Sequence, residues 1–146
     1  MSTKAEIFIK DRADPFVTKG SDGYYYFTAS YPMYGKDDPE GYDRIILRRA
    51  KTIDSLADAE EKVIWYEKNS DSAFRFIWAP EIHKIGGKWC VLFAASGSKD
   101  NVWDIDCHII MCGGDDPYND EWIDKGKFIG FDDFSFNGFS LDMTYF

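Results

Sequence analysis

Short runs of β-branched and aromatic residues, broken every few positions by Gly, Asp, Asn, Ser or Pro, set the pattern of this chain. "DPFVTK" (14–19), "YYYFTAS" (24–30), "RIILRRA" (44–50), "KVIWY" (62–66), "EIHKI" (81–85), "KWCVLFAAS" (88–96), "CHIIMC" (107–112), "KFIGF" (127–131) and "SLDMTYF" (140–146) have the length and composition of strands. Helical periodicity is nearly absent. The best stretch for it, "TIDSLADAEEKV" (52–63), keeps its apolar spacing for one or two turns, with Ser55 placed to cap a short one.

The strand pattern repeats. Shifted against itself by about 66 residues, the chain aligns Ala13 with Ala79, Gly20 with Gly86, Phe27 with Phe93, Ala29 with Ala95 and Ser30 with Ser96, without a gap. At nearly the same shift Ile45–Leu47 meets Ile109–Met111, and Val63–Trp65 meets Phe128–Gly130. Each unit reads as four short antiparallel strands, the unit of a β-propeller blade whose innermost strand lines a central channel. Blade one covers about 10–72, blade two about 73–134, and 135–146 opens a third. Two blades and one strand do not close a ring, and open strand edges invite pairing. The expected architecture is therefore all-β and an incomplete propeller, its missing blades supplied by a second chain or through self-association. A two-sheet sandwich in which the repeat is incidental is the competing architecture.

Composition supplies a core and removes several partners. The chain is 45% apolar and 18% aromatic, enough to pack a domain, and its net charge of −9 opposes a phosphate backbone or an anionic membrane surface. No apolar run is long enough to span a bilayer, so neither nucleic acid nor membrane is an expected partner. Cys90, Cys107 and Cys112 form an odd set without a disulfide framework, which suits a reducing compartment. The start "MSTKAEIFIKDRADP" lacks the apolar core of a signal peptide. The chain as it stands reads as cytoplasmic, or as secreted if a signal peptide has been removed. No cofactor or metal is expected: Cys107 and His108 have no second ligand pair, and the acidic stretch "GGDDPYNDEW" (113–122) reads as a solvated turn instead of a calcium loop. His83 and His108, alternating with apolar neighbours, read as structural.

Asp14 and Asp142 open the innermost strands of units one and three, where side chains of different blades converge at the channel mouth. Two carboxyl groups there suit acid and base work on a glycosidic bond. Each also has a plain structural reading, Asp14 as a turn residue before Pro15 and Asp142 as a cap on a strand end.

"RADPFV", "IWAPEIHKIGGKW" and "FSLDMTYF", in this order and spacing, resemble glycoside hydrolase family 43, the five-bladed propeller enzymes of arabinofuranosides and xylosides. The resemblance runs over essentially the whole chain, and "DGYYYFTAS" with "YDRIILRRAKTI" is most similar to the α-L-arabinofuranosidase branch. It implies inverting hydrolysis with Asp14 as general base and Asp142 as the residue that tunes and orients a glutamic acid. Arabinose- or xylose-containing oligosaccharides or polysaccharides are the implied substrates. No Glu here matches the family's general acid, so this chain alone is expected to be inactive; Glu81 reads as a hydrogen-bonding support of the channel. Trp78, at a blade opening, is the candidate for stacking on a sugar ring, and also fits inter-blade packing. Tyr31 and Trp103 are candidates for outer subsites, or plain rim residues. A β-xylosidase of the same family and a non-catalytic carbohydrate-binding propeller are the alternatives; replacing Asp14 by Asn separates hydrolysis from binding.

Overall fold

The β-branched and aromatic runs form strands in the computed structural model, which describes residues 7–32, 41–132, 134–136 and 138–146. The strands are β1 (Ala13–Lys19), β2 (Tyr25–Ser30), β3 (Arg44–Ala50), β4 (Lys62–Tyr66), β5 (Trp78–Ile85), β6 (Lys88–Ser96), β7 (Ile105–Cys112) and β8 (Trp122–Lys127). They make two antiparallel four-stranded sheets, β1 to β4 and β5 to β8, each in chain order.

Alternation of side chains across the strands builds the core. Tyr26, Ile45, Leu47 and Trp65 of the first sheet face Ile82, Trp89, Val91, Phe93, Ala95 and Ile110 of the second in one apolar layer. Phe27, Ala29, Ile46 and Ala50 point to the other side of the first sheet, where Leu56 from a short 3-10 turn (Asp54–Leu56) closes over them. The cap position at the start of that turn is Ile53, without a side-chain cap bond, while the Thr52 hydroxyl just ahead accepts the Ser55 N–H (3.2 Å); Ser55, inside the turn, does not take the expected capping role.

The two sheets are also fastened at the strand ends opposite Asp14. Arg49 at the end of β3 pairs with Asp116 in the β7–β8 connection (2.8 Å), and its guanidinium lies between the rings of Tyr24 (4.9 Å) and Tyr118 (4.6 Å).

Two expected strands differ. The fourth strand of the second sheet is Trp122–Lys127, upstream of the expected 127–131, and residues 139–146 carry no strand among the described residues. Strand β8 pairs only with β7 and needs a single anchor, Trp122, whose indole N–H donates to the Pro117 carbonyl (2.9 Å). Its other positions are polar or exposed, so it carries no strand-like composition. The gapless repeat is corrected too. Strand pairing sets Ala13 opposite Ser30 and Trp78 opposite Ala94, a spacing of 65 on the first strands and 64 on the second. The hairpins differ: residues 20–24 join β1 to β2, whereas Gly86 and Gly87, both at positive φ (57° and 84°), make a two-residue turn between longer strands.

Candidate active site

Strands β1 and β5 begin with the same irregularity. From Ala13 to Phe16, β1 advances three residues while β2 advances two, and β5 does the same against β6 from Trp78 to Glu81. Each bulge holds an X-Pro step, Asp14-Pro15 and Ala79-Pro80. Proline has no N–H for the ladder, and a bulge is where a strand tolerates that loss. The residue before proline is disfavoured in the right-handed helical region. Here both Asp14 (φ 49°) and Ala79 (φ 44°) take the left-handed one, and Asp142 takes it as well (φ 57°). A bulge re-aims the side chain it carries, so the sequence feature behind the exposed Asp14 carboxylate is its proline neighbour.

Ser30, fully buried at the end of β2, ties these turns together. Its hydroxyl donates to Asp14 Oδ2 (2.8 Å) and accepts the Ala79 backbone N–H (2.8 Å). One side chain thus connects the two bulges across the sheet boundary, and leaves Asp14 Oδ1 without a hydrogen bond among the described residues.

Asp14, Pro15, Phe16, Ala79, Glu81 and Asp142 line one cleft of about 270 Å³. Glu81 is hydrogen-bonded to His83 (Oε2 to Nε2, 2.8 Å), and the His83 ring packs on Phe16 (4.9 Å between centroids) and meets Tyr145 edge-on (6.2 Å). Three carboxyl groups from separate segments therefore converge, Asp14 from the bulge of β1, Glu81 from β5 and Asp142 from the strandless stretch 139–146: Asp14 and Asp142 exposed, Glu81 half-buried and braced. Such a set can take a proton from water on one side and orient an acid on another.

The structure brings Trp78 and Trp103 together, through Phe76. That ring stacks on Trp78 (4.9 Å, 29°) and on Trp103 (5.3 Å, 29°), while Tyr42 meets Trp78 edge-on (6.2 Å). Trp103 is 63% exposed, and Trp78 adjoins Ala79 of the cleft. Phe76 and Tyr42 escaped the sequence reading; the alternation Phe74, Phe76, Trp78 in "FRFIW" was the available signal. Tyr31 does not line the cleft. Its ring is held between the guanidinium groups of Arg12 (4.1 Å) and Arg44 (4.3 Å), with Arg12 and Arg48 both paired to Glu61.

Among the described residues no three His, Cys, Asp or Glu side chains form a cation-binding group. In the acidic loop, burial pushes the Asp116 carboxyl up, but hydrogen bonds from Asn119 and the Tyr118 N–H, together with Arg49, outweigh it and hold the group below its ordinary value. Burial pushes all three free thiols, Cys90, Cys107 and Cys112, up.

Comparison with known proteins places the chain in a family. The model of a family described as glycosyl hydrolases family 43 matches residues 5–146. An extracellular exo-α-(1→5)-L-arabinofuranosidase of Streptomyces avermitilis is 45% identical over 135 residues, 92% of this chain and 25% of the relative. One of the same name from Streptomyces chartreusis is 41% identical over 138 residues, 94% of this chain and 38% of its own length. The crystal structure of an α-L-arabinofuranosidase from Lactobacillus brevis superposes with a TM-score of 0.77 at 39% identity, covering 95% of this chain and 42% of that one. The chain thus spans well under half the length of these relatives.

Proposed function

The chain belongs to glycosyl hydrolase family 43, its two sheets being two blades of a propeller, and we propose that it carries the base side of the catalytic cleft of an inverting α-L-arabinofuranosidase. The observation behind this reading is the single cleft that gathers Asp14, Glu81 and Asp142. Asp14 is the general base. Ser30 holds one of its oxygens, and the other receives a proton from the water that attacks the anomeric carbon. Asp142 tunes and aims the carboxyl group that protonates the leaving oxygen. In an inverting enzyme, base and acid stand about 6.5–9.5 Å apart, which leaves room for the water between them.

No glutamate of this chain matches that acid, so these residues alone are expected to give no turnover. Glu81, bound to His83, supports the channel. Trp78 and Trp103, joined by Phe76, offer a face for a sugar ring, whereas the clamp on Tyr31 argues against its contacting substrate. The activities of the relatives favour α-L-arabinofuranosides over β-xylosides, and their extracellular location favours export over a cytoplasmic site.

The test is Asp14→Asn in a protein that includes the acid. Turnover of an aryl α-L-arabinofuranoside is expected to fall by about 10²–10⁴-fold with little change in ligand affinity. Undiminished turnover would remove Asp14 from the mechanism. A parent protein that binds arabino-oligosaccharides without cleaving them would make it a binding propeller.

A further inference from the structure

A second cleft, of about 510 Å³, opens on the same face as the two aspartates. Its described lining comes from Gly41 and Tyr42 ahead of β3 and from the connections β4–β5 and β6–β7, all at the strand ends where Asp14 lies. The volume suits a small ligand or a sugar unit.

Among the described residues, its lining is cationic, unlike the molecule as a whole. In a chain of net charge −9, the described lining of this cleft holds Lys68, Arg75 and Lys99 beside one acid, Glu67. None of the three cations forms an ion pair with a described residue. Each lies instead over an aromatic ring: Lys68 over Tyr66 (4.8 Å), Arg75 over Phe76 (5.7 Å) and Lys99 over Phe74 (4.8 Å). A ring face holds a cation in place without neutralising it.

The two clefts share no described lining residue, but aromatic contacts lead from the second towards the first. Tyr42, in its wall, touches Trp78, and Arg75 covers Phe76. The row Tyr42, Trp78, Phe76 and Trp103 therefore starts in the wall of the second cleft and reaches Trp78, the chain neighbour of Ala79 in the first.

We propose that this second cleft is a subsite for an acidic sugar unit, a hexuronate, in the polymer presented to Asp14. Arg75 is the principal carboxylate partner, since a guanidinium takes a carboxylate through two parallel hydrogen bonds. Lys68 and Lys99 add charge, and Phe74 and Tyr42 wall the ring. The subsite takes no part in bond cleavage, and it rests on the glycosidase reading only for the kind of polymer.

The test is a titration of the intact protein with trigalacturonate and with xylotriose as the uncharged counterpart. Trigalacturonate is expected to bind at least about tenfold more tightly at low salt, the scale of one charged hydrogen-bonded pair. That margin is expected to vanish in about 0.5 M salt and in the Arg75→Gln/Lys99→Gln double variant, whose altered side chains are exposed. Asp14→Asn is expected to leave it intact, so failure of the hydrolytic reading and failure of the subsite are told apart. Equal affinities for the two trisaccharides, a margin that survives the double variant, or displacement of trigalacturonate by equimolar inorganic phosphate would each overturn the proposal.

Discussion

His108 is fully buried in β7, stacked on Phe93 at 5.7 Å, and neither ring nitrogen has a hydrogen-bond partner among the described residues. Burial lowers its pKa, more than the nearby Asp106 and Asp124 raise it, and Lys127 lowers it further. The folded chain therefore holds a neutral imidazole where the unfolded chain takes up a proton near its ordinary value of about 6.5. Stability tied to this group is complete above that pH and is lost as the pH falls from there towards the folded value. Urea midpoints at pH 7.5 and 5.5 should separate in the parent and draw together in His108→Phe; an unchanged separation would exonerate the histidine. The structural role of His108 was legible from its apolar neighbours. The clamp on Tyr31 was not, because Arg12 and Arg44 meet its ring only after β1 and β3 flank β2.

The bulges at the starts of β1 and β5 carry measurable strain. Ala79 holds φ 44°, a conformation that costs an L-residue about 1–2 kcal/mol and glycine nothing comparable. Ala79→Gly is expected to raise stability by up to about 1 kcal/mol after the entropy glycine adds to the unfolded chain, and Ala79→Val to lower it by about 1–3 kcal/mol. Denaturant titration of both variants checks the order, and a destabilised glycine variant would contradict it. Strands such as Arg44–Ala50 and Lys88–Ser96 were legible to the residue because burial demands their composition. Strand β8 was not, since an outer strand anchored by Trp122 alone can be polar elsewhere. The X-Pro steps were visible as motifs. Their left-handed φ and the aromatic row through Phe76 depend on how strands pair and loops meet, which spacing does not encode.

Among the described residues of the whole molecule, apolar exposure is concentrated after β8. Ile129, Phe131, Phe134, Phe139 and Phe146 all stand well out of the surface, and Phe131 and Phe146 are fully exposed. Apolar groups gathered in this way mark a surface made to be covered. This chain is expected to self-associate, opposed by its net charge of −9, so that added salt strengthens the association by screening. Sedimentation at rising concentration tests this: the mean mass should climb, and Phe131→Ser with Phe146→Ser should suppress the climb. A concentration-independent monomer in high salt would refute it.

The Ser30 hydroxyl between Asp14 and Ala79 also bears on how such a fold can diverge. Its donor in the neighbouring sheet is a main-chain N–H, which every amino acid except proline supplies. Position 79 can therefore drift over generations without breaking the link, within what its backbone angle allows, whereas position 30 is confined to a short hydroxyl-bearing side chain. A recombined chain that joined the first sheet to a foreign second one would inherit the alignment of the Asp14 carboxylate, provided the incoming blade kept its bulge.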